Sequence, residues 1–232
     1  MSRKRHSPEQ IANKLREADV PIGGATTRCH DASESGSYRC KVSNTCGSTY
    51  SAPIEFTLGS IVASAPPNNA IDARQPSSLG DDCADTPGWD SLVITFDCSA
   101  SGLGAADFNV TTNPTGSAPT ISNVVPNGND ITLNLSGPIP PGKWAVFTHN
   151  ASGTSTRLGY LPADVNNDRT ASPVDIPKLV DSLNGVVQSP HMIWQTDIDR
   201  SGAANPADIL RVIDLLNGAD CYEVWNGVSL PE

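Results

Sequence analysis

The chain has 232 residues and a formal net charge of −10, with 25 acidic against 15 basic side chains and only 17% charged residues. That balance argues against a nucleic-acid surface over most of the molecule, and no run is long and apolar enough for a transmembrane helix. The length suits one large or two small domains, and nineteen each of glycine and proline predict a loop-rich, mainly β protein.

Residues 1–21 predict a short amphipathic helix. Ser7-Pro8-Glu9-Gln10 is its start signal, and Ile11, Leu15 and Val20 are its apolar positions. The basic opening, MSRKRH, is followed by no apolar h-region and no cleavage site, so it does not read as a signal peptide. Its wording resembles the start of the small helix-turn-helix subunit of insertion-sequence transposases. No second helix follows to enter a major groove, and no acidic catalytic triad can be assigned. DNA binding is therefore the remote reading, and a mobile-element fragment fused upstream of another gene is the expected one.

Residues 22–58 contain Gly36-Ser37-Tyr38-Arg39-Cys40, with a tyrosine two residues before a cysteine. This is tyrosine-corner spacing and resembles the end of an immunoglobulin domain. Tyr38 to Val42 and Ile54 to Leu58 alternate as the strands of a hairpin do. The earlier cysteine strand and buried tryptophan of such a domain are missing, so the segment reads as a truncated immunoglobulin-like hairpin. Cys40 is free, or pairs with Cys29 or Cys46. Residues 59–69, rich in glycine, alanine, proline and asparagine, read as a linker.

From 70 to 161, short alternating runs are separated by turn signals. They are Leu92–Asp97, Asp107–Thr111, Ile121–Val125, Ile131–Leu135, Trp144–Thr148 and Ser155–Tyr160. Strands at this spacing predict an immunoglobulin-like β-sandwich. His149 reads as a surface residue at a strand end, and no Ser or Cys nucleophile has a partner in view. Trp89, Trp144, Phe147 and Tyr160 read as core, with a carbohydrate platform as the alternative. The run Asp81-Asp82-Cys83-Ala84-Asp85 reads as a solvated acidic loop, with a third cation site as the alternative. Cys83 and Cys98 are spaced to bridge one hairpin, although spacing alone does not establish the bond.

Residues 162–220 carry a repeat. Asp164–Gly185 and Asp197–Gly218 align without gaps at an offset of 33 residues. The identities are Asp164/Asp197, Ala171/Ala204, Pro173/Pro206, Asp175/Asp208, Ile176/Ile209, Asp181/Asp214, Leu183/Leu216, Asn184/Asn217 and Gly185/Gly218. Each copy opens with oxygen-bearing side chains at loop positions 1, 3, 5 and 12, the ligand spacing of a calcium loop. The first loop offers Asp164, Asn166, Asp168, the Thr170 carbonyl, Ser172 through a water, and a bidentate Asp175. In the second the same roles fall to Asp197, Asp199, Ser201, the Ala203 carbonyl, Asn205 and Asp208. An Asp/Asn-rich stretch by itself is a turn; two matched stretches, each feeding a helix, predict two calcium ions.

Each loop leads into a helix capped by Ser172 or Asn205, with Pro173 or Pro206 at its first position. Ile176, Leu179, Val180 and Leu183 form one apolar stripe, and Ile209, Val212, Ile213 and Leu216 the other. Both helices stop at Asn-Gly, a left-handed C-terminal signal. Arg169 stands where a calcium loop needs a glycine, which predicts roughly 1–2 kcal/mol of backbone strain. Pro177, opposite Leu210, removes a backbone hydrogen bond near the helix start.

This loop-then-helix pair resembles a dockerin type I domain, a small helical module of half EF-hands. The resemblance implies two bound calcium ions and docking onto a cohesin-type partner, often within assemblies for polysaccharide catabolism. Pro173-Val174 and Pro206-Ala207 depart from the hydroxyl pairs that cellulosomal dockerins often place there, so calcium binding carries over better than partner identity. Residues 221–232 read as a C-terminal tail. Six cysteines and calcium loops lean toward an extracellular or cell-surface location. The expected function is a non-catalytic modular protein that binds two calcium ions and docks a protein partner. The alternative is a carbohydrate-binding or carbohydrate-active component of an extracellular complex; membrane and nucleic-acid partners are not expected.

Overall fold

The structure, a computed structural model, describes residues 59–76, 88–186, 192–219 and 222–232, with the backbone of four short strands before them. The predicted N-terminal helix, Cys29, Cys40, Cys46, Cys83, Cys221 and the Asp81–Asp85 run lie outside the described residues. Between residues 36 and 56, β1 (Gly36–Tyr38) pairs antiparallel with β4 (Ile54–Phe56), and β2 (Lys41–Asn44) with β3 (Gly47–Tyr50).

The protein is mainly β, built on two four-stranded sheets. One sheet has the order β5 (Ile61–Ala65), β7 (Ser91–Phe96), β10 (Asp130–Leu135), β9 (Ile121–Asn127). The other runs β6 (Ala70–Asp72), β12 (Ser155–Tyr160), β11 (Lys143–His149), β8 (Phe108–Asn113). All pairs are antiparallel except β12 with β6, which is parallel.

Strand alternation decides what each sheet buries. Leu92, Ile94 and Phe96 of β7 and Ile131, Leu133 and Leu135 of β10 point inward from the first sheet. Phe108, Ala145, Phe147, Leu158 and Tyr160 meet them from the second, so both sheets share one core. Each fully buried Leu, Ile or Phe contributes roughly 1.5–3 kcal/mol of transfer free energy to this layer.

Six of the strands lie where the alternation placed them. The stretch read as a linker does not hold: Ile61–Ala65 is an edge strand paired with β7. Its small side chains give little strand signal, and the pairing partner supplies what propensity lacks. Likewise β6, three residues long, is visible only through its parallel pairing with β12.

The second sheet is covered on its outer face as well. Trp144 points away from the shared core, and with Ile71, Ala73 and Leu161 it forms a second core with the C-terminal repeat. The repeat contributes Val165, Ala171, Leu179, Ile198, Val212, Leu215 and Leu216. Its helices are α1 (Asp175–Leu183), the single turn α2 (Ile193–Thr196) and α3 (Pro206–Asn217). In α3, Leu215 is buried while Ile213 is surface-facing, so the stripe is rotated from the predicted one. Among the described residues no helix is long and apolar enough to cross a membrane.

Residues 222–232 are not a free tail. Trp225 and Leu230 are buried in the second core, and the Trp144 indole N–H donates to the Pro231 carbonyl at 2.9 Å. The segment pairs with the first loop: Ala171 N–H donates to Val228 O, Gly227 N–H to Ala171 O, and Leu230 N–H to Arg169 O. Its short length and isolated apolar residues give no periodic signal, so the sequence alone does not reveal this strap.

Candidate metal centre

The two loops share one hydrogen-bond plan, repeated at the 33-residue offset. At position 1, Asp164 Oδ2 accepts from Arg169 N–H at 3.0 Å, and Asp197 Oδ2 from Gly202 N–H at 3.0 Å. At position 12, Asp175 accepts from the N–H groups of Asn166 and Ser172 at 3.1 and 2.9 Å. Its counterpart Asp208 accepts from Asp199 and Asn205 at 3.0 and 2.7 Å. Position 3 closes an Asx turn in both copies: Asn166 Oδ1 accepts from Asp168 N–H, and Asp199 Oδ1 from Ser201 N–H.

The backbone repeats too. Asn167 and Arg200, both at position 4, have φ of 61°, and position 6 is left-handed in both copies, with Arg169 at φ 75° and Gly202 at φ 94°. The conformation expected at Arg169 is therefore present. The second loop is not free of such strain, because Arg200 also occupies the left-handed region that only glycine adopts without cost.

The loops feed their helices differently. In the second, Asn205 Oδ1 accepts from Ala207 N–H at 2.8 Å and Pro206 is the first helical residue. In the first, Ser172 Oγ accepts from Val174 N–H at 3.3 Å, but the helix begins at Asp175 rather than at Pro173. Pro177 has no N–H to give the Pro173 carbonyl, so the opening turn lacks the bond that would register it as helix. Both helices end as predicted, with Gly185 and Gly218 at φ 68° and 67°.

The predicted oxygens of the second loop converge. Carboxylate oxygens of Asp197, Asp199 and Asp208 lie within 4.8 Å of one another, the one such acidic grouping among the described residues. Ser201 Oγ donates to Asp197 Oδ1 and to the Ala203 carbonyl, which also accepts from Asn205 Nδ2. Every side chain or carbonyl assigned to this loop is thus drawn into one network. In the first loop Asn166 Nδ2 donates to Asp168 Oδ2 at 2.8 Å, and Asp168 Oδ1 accepts from Thr170 N–H. Thr170 itself is bridged to Ser229, and the carboxylates of Asp164, Asp168 and Asp175 do not draw together as those of the second loop do.

Electrostatics mark both sites. Burial, with Asp175 and Asp168 nearby, pushes Asp164 up to about 7. Burial likewise raises Asp175, against the N–H groups of Asn166 and Ser172 that favour its charge. In the second loop burial raises Asp208. At Asp199 burial acts in the same direction, but hydrogen bonds that favour its charged form, from Ser201 first and then with the Asp197 and Asp208 carboxyls, outweigh it and hold the group low. Carboxylates crowded in this way favour taking up either protons or a cation.

Other sequence candidates fare differently. His149 is not at the surface: it is buried, with Phe96 and Phe108 ring centroids at 5.0 and 5.7 Å. Its Nδ1 lies 2.8 Å from Ser152 Oγ, a partner the sequence reading missed, and Ser152 Oγ lies 2.7 Å from Thr154 Oγ1. That chain staples the β11–β12 turn. Trp89, Trp144, Phe147 and Tyr160 are all buried, so they form no surface platform. Cys98 is disulfide-bonded.

Position 4 of each loop was not foreseen. Asn167 Oδ1 accepts from Ile71 N–H at 2.8 Å and its Nδ2 donates to Asn69 O at 3.2 Å. Arg200 Nε donates to Gln75 O at 2.9 Å, and its Nη2 lies 3.5 Å from Asp72 Oδ2. Asparagine and arginine share no side-chain class, so nothing in the repeat marks the position. Compared with known protein families and with curated proteins, the chain matches none.

Proposed function

We propose that this is a non-catalytic modular protein in which an immunoglobulin-like sandwich carries a dockerin-like module that binds two calcium ions and docks a protein partner. The observation that carries the reading is the duplicated loop, matched in hydrogen bonds and backbone dihedrals and converging on oxygen ligands in its second copy. An all-oxygen donor set with three carboxylates suits a hard divalent cation, and calcium tolerates irregular geometry better than magnesium. Asp197, Asp199, Ser201, the Ala203 carbonyl, Asn205 and Asp208 would hold one ion. Asp164, Asn166, Asp168, the Thr170 carbonyl, Ser172 and Asp175 would hold the other. The ions neutralise carboxylates that otherwise repel, which stabilises the folded loops.

Strand order supports the immunoglobulin-like assignment. With β5, β7, β8, β9, β10, β11 and β12 taken as strands A to G, the sheets read A-B-E-D and C-F-G, with β6 beside G. Exposed apolar side chains at the helices support docking: Leu210 of α3 is 65% exposed with Ile213 one turn away, and Val174, just before α1, is 55% exposed. The expected partner is a cohesin-type module. The full chain should bind such a module in calcium and release it in chelator, and Leu210→Asp should weaken binding at least tenfold without altering calcium uptake. Undiminished binding by Leu210→Asp in calorimetry, or none by the unchanged chain, would argue against the docking surface.

A further inference from the structure

The repeat does not hang from the sandwich by a linker; both of its loops are built onto one stretch of it. Residues Asn69 to Gln75, which contain β6, run between the loops. At one end Asn69 and Ile71 take both amide atoms of Asn167. In the middle, Leu161 N–H donates to Asp72 O, and Ala163 N–H to Ala73 O, fixing the chain just before Asp164. At the other end Ala73 N–H donates to Trp194 O and Gln75 N–H to Ile198 O.

Gln75 is 2% exposed and is committed to the second loop. Besides its N–H bond to Ile198, its carbonyl accepts from Arg200 Nε and its Nε2 donates to the Asp199 carbonyl at 3.2 Å. The Tyr222 hydroxyl donates to its Oε1 at 3.1 Å. Asp72, fully buried, is held by Arg74 through Nε at 2.8 Å and Nη2 at 2.7 Å, and it also faces Arg200 Nη2. These bonds fix Ile198, Asp199 and Arg200, which lie between the Asp197 and Ser201 ligands. They also account for a left-handed arginine: its side chain is tied to the sandwich on the side of the loop facing β6.

We infer that Asp72 and Gln75 of the sandwich are positioning residues for the second cation site, acting through Arg200 and the Asp199 carbonyl. This rests on the calcium reading given above. The sandwich thereby sets the shape of the loop before the ion arrives, so that ordering the loop costs less on binding.

The test uses the full chain, with calcium as the probe, in isothermal titration calorimetry, together with melting in chelator. Asp72→Asn and Arg200→Gly are compared singly and combined. Arg200→Gly also relieves the left-handed backbone, so it separates loss of the anchor from general destabilisation. Each single change is expected to raise the dissociation constant of one calcium site about tenfold and to leave the other within about twofold. The double variant should be no worse than Arg200→Gly alone, because that change already removes the Asp72–Arg200 contact together with the Arg200 bond to the Gln75 carbonyl. Equal affinities in all four chains would overturn the inference, as would losses that fall on both sites alike and simply add. No calcium uptake by the unchanged chain would remove the calcium reading and this inference with it. Uptake that is normal and insensitive to both changes would remove the inference alone.

Discussion

At φ 75°, Arg169 holds a backbone conformation that a β-carbon disfavours by roughly 1–2 kcal/mol. Among the described residues its side chain pairs with Glu232, whose side chain is 94% exposed, and such a surface pair adds little. Arg169→Gly should therefore raise stability by about 0.5–1 kcal/mol in denaturant melts after the added freedom of the unfolded chain is counted; a loss would show that the arginine makes a compensating contact. The charge at Asp164 gives a pH prediction. Its folded value of about 7 exceeds the ordinary carboxylate value, so between about pH 4 and 7 the calcium-free folded chain holds a proton that the unfolded chain has released. Stability in chelator from this group is full below about pH 4 and is lost as pH rises toward 7, with Asp175 and Asp208 acting in the same direction. His149, lowered by burial, has the opposite sign: its contribution is lost as pH falls past about 6.5. Asp164→Asn should accordingly flatten the decline above about pH 5 in chelator and leave the histidine slope exposed. An unchanged pH profile in thermal melts would contradict the assignment.

At the scale of elements, β12 shows how one residue sets a packing layer. A β-carbon on Gly159 would lie 2.8 Å from both Leu230 Cδ1 and the Trp144 ring, closer than carbon atoms pack. The missing side chain lets Trp144 and the C-terminal strap lie flat on the sheet. Gly159→Ala should cost roughly 1–3 kcal/mol through forced repacking, read as a lower denaturation midpoint; a neutral result would mean that the strap yields without penalty. Much of the architecture was legible in the sequence: β7, β8 and β10 follow period-two alternation, α3 has its cap, its N1 proline and its left-handed glycine, and the duplicated ligands fall at matched positions. What was hidden depends on pairing across the chain. Ile61–Ala65 and Ala70–Asp72 are strands because β7 and β12 lie beside them. The strap at 222–232 is ordered by the groove it fills, and His149 is buried by Phe96 and Phe108 rather than by any local pattern. The delayed start of α1 was foreshadowed by Pro177, although the cap at Ser172 suggested otherwise.

For the whole molecule, the two cores make the sandwich and the repeat a continuous body across the Trp144 face and the Asn69–Gln75 stretch. Charge removed from either loop by a cation should therefore stabilise more than the loop itself. A ligand that binds only the folded state stabilises by about 2.7 kcal/mol per site at a hundredfold excess over its dissociation constant. In a chain of this length that corresponds to a melting shift of about 5–10 °C per site. The direct measurement is differential scanning calorimetry of the full chain in calcium and in chelator. Two equivalents of calcium should bind, and the melting midpoint should climb with free calcium and collapse on chelation. A chain that melts at the same temperature in both, with no calcium retained on dialysis, would contradict this.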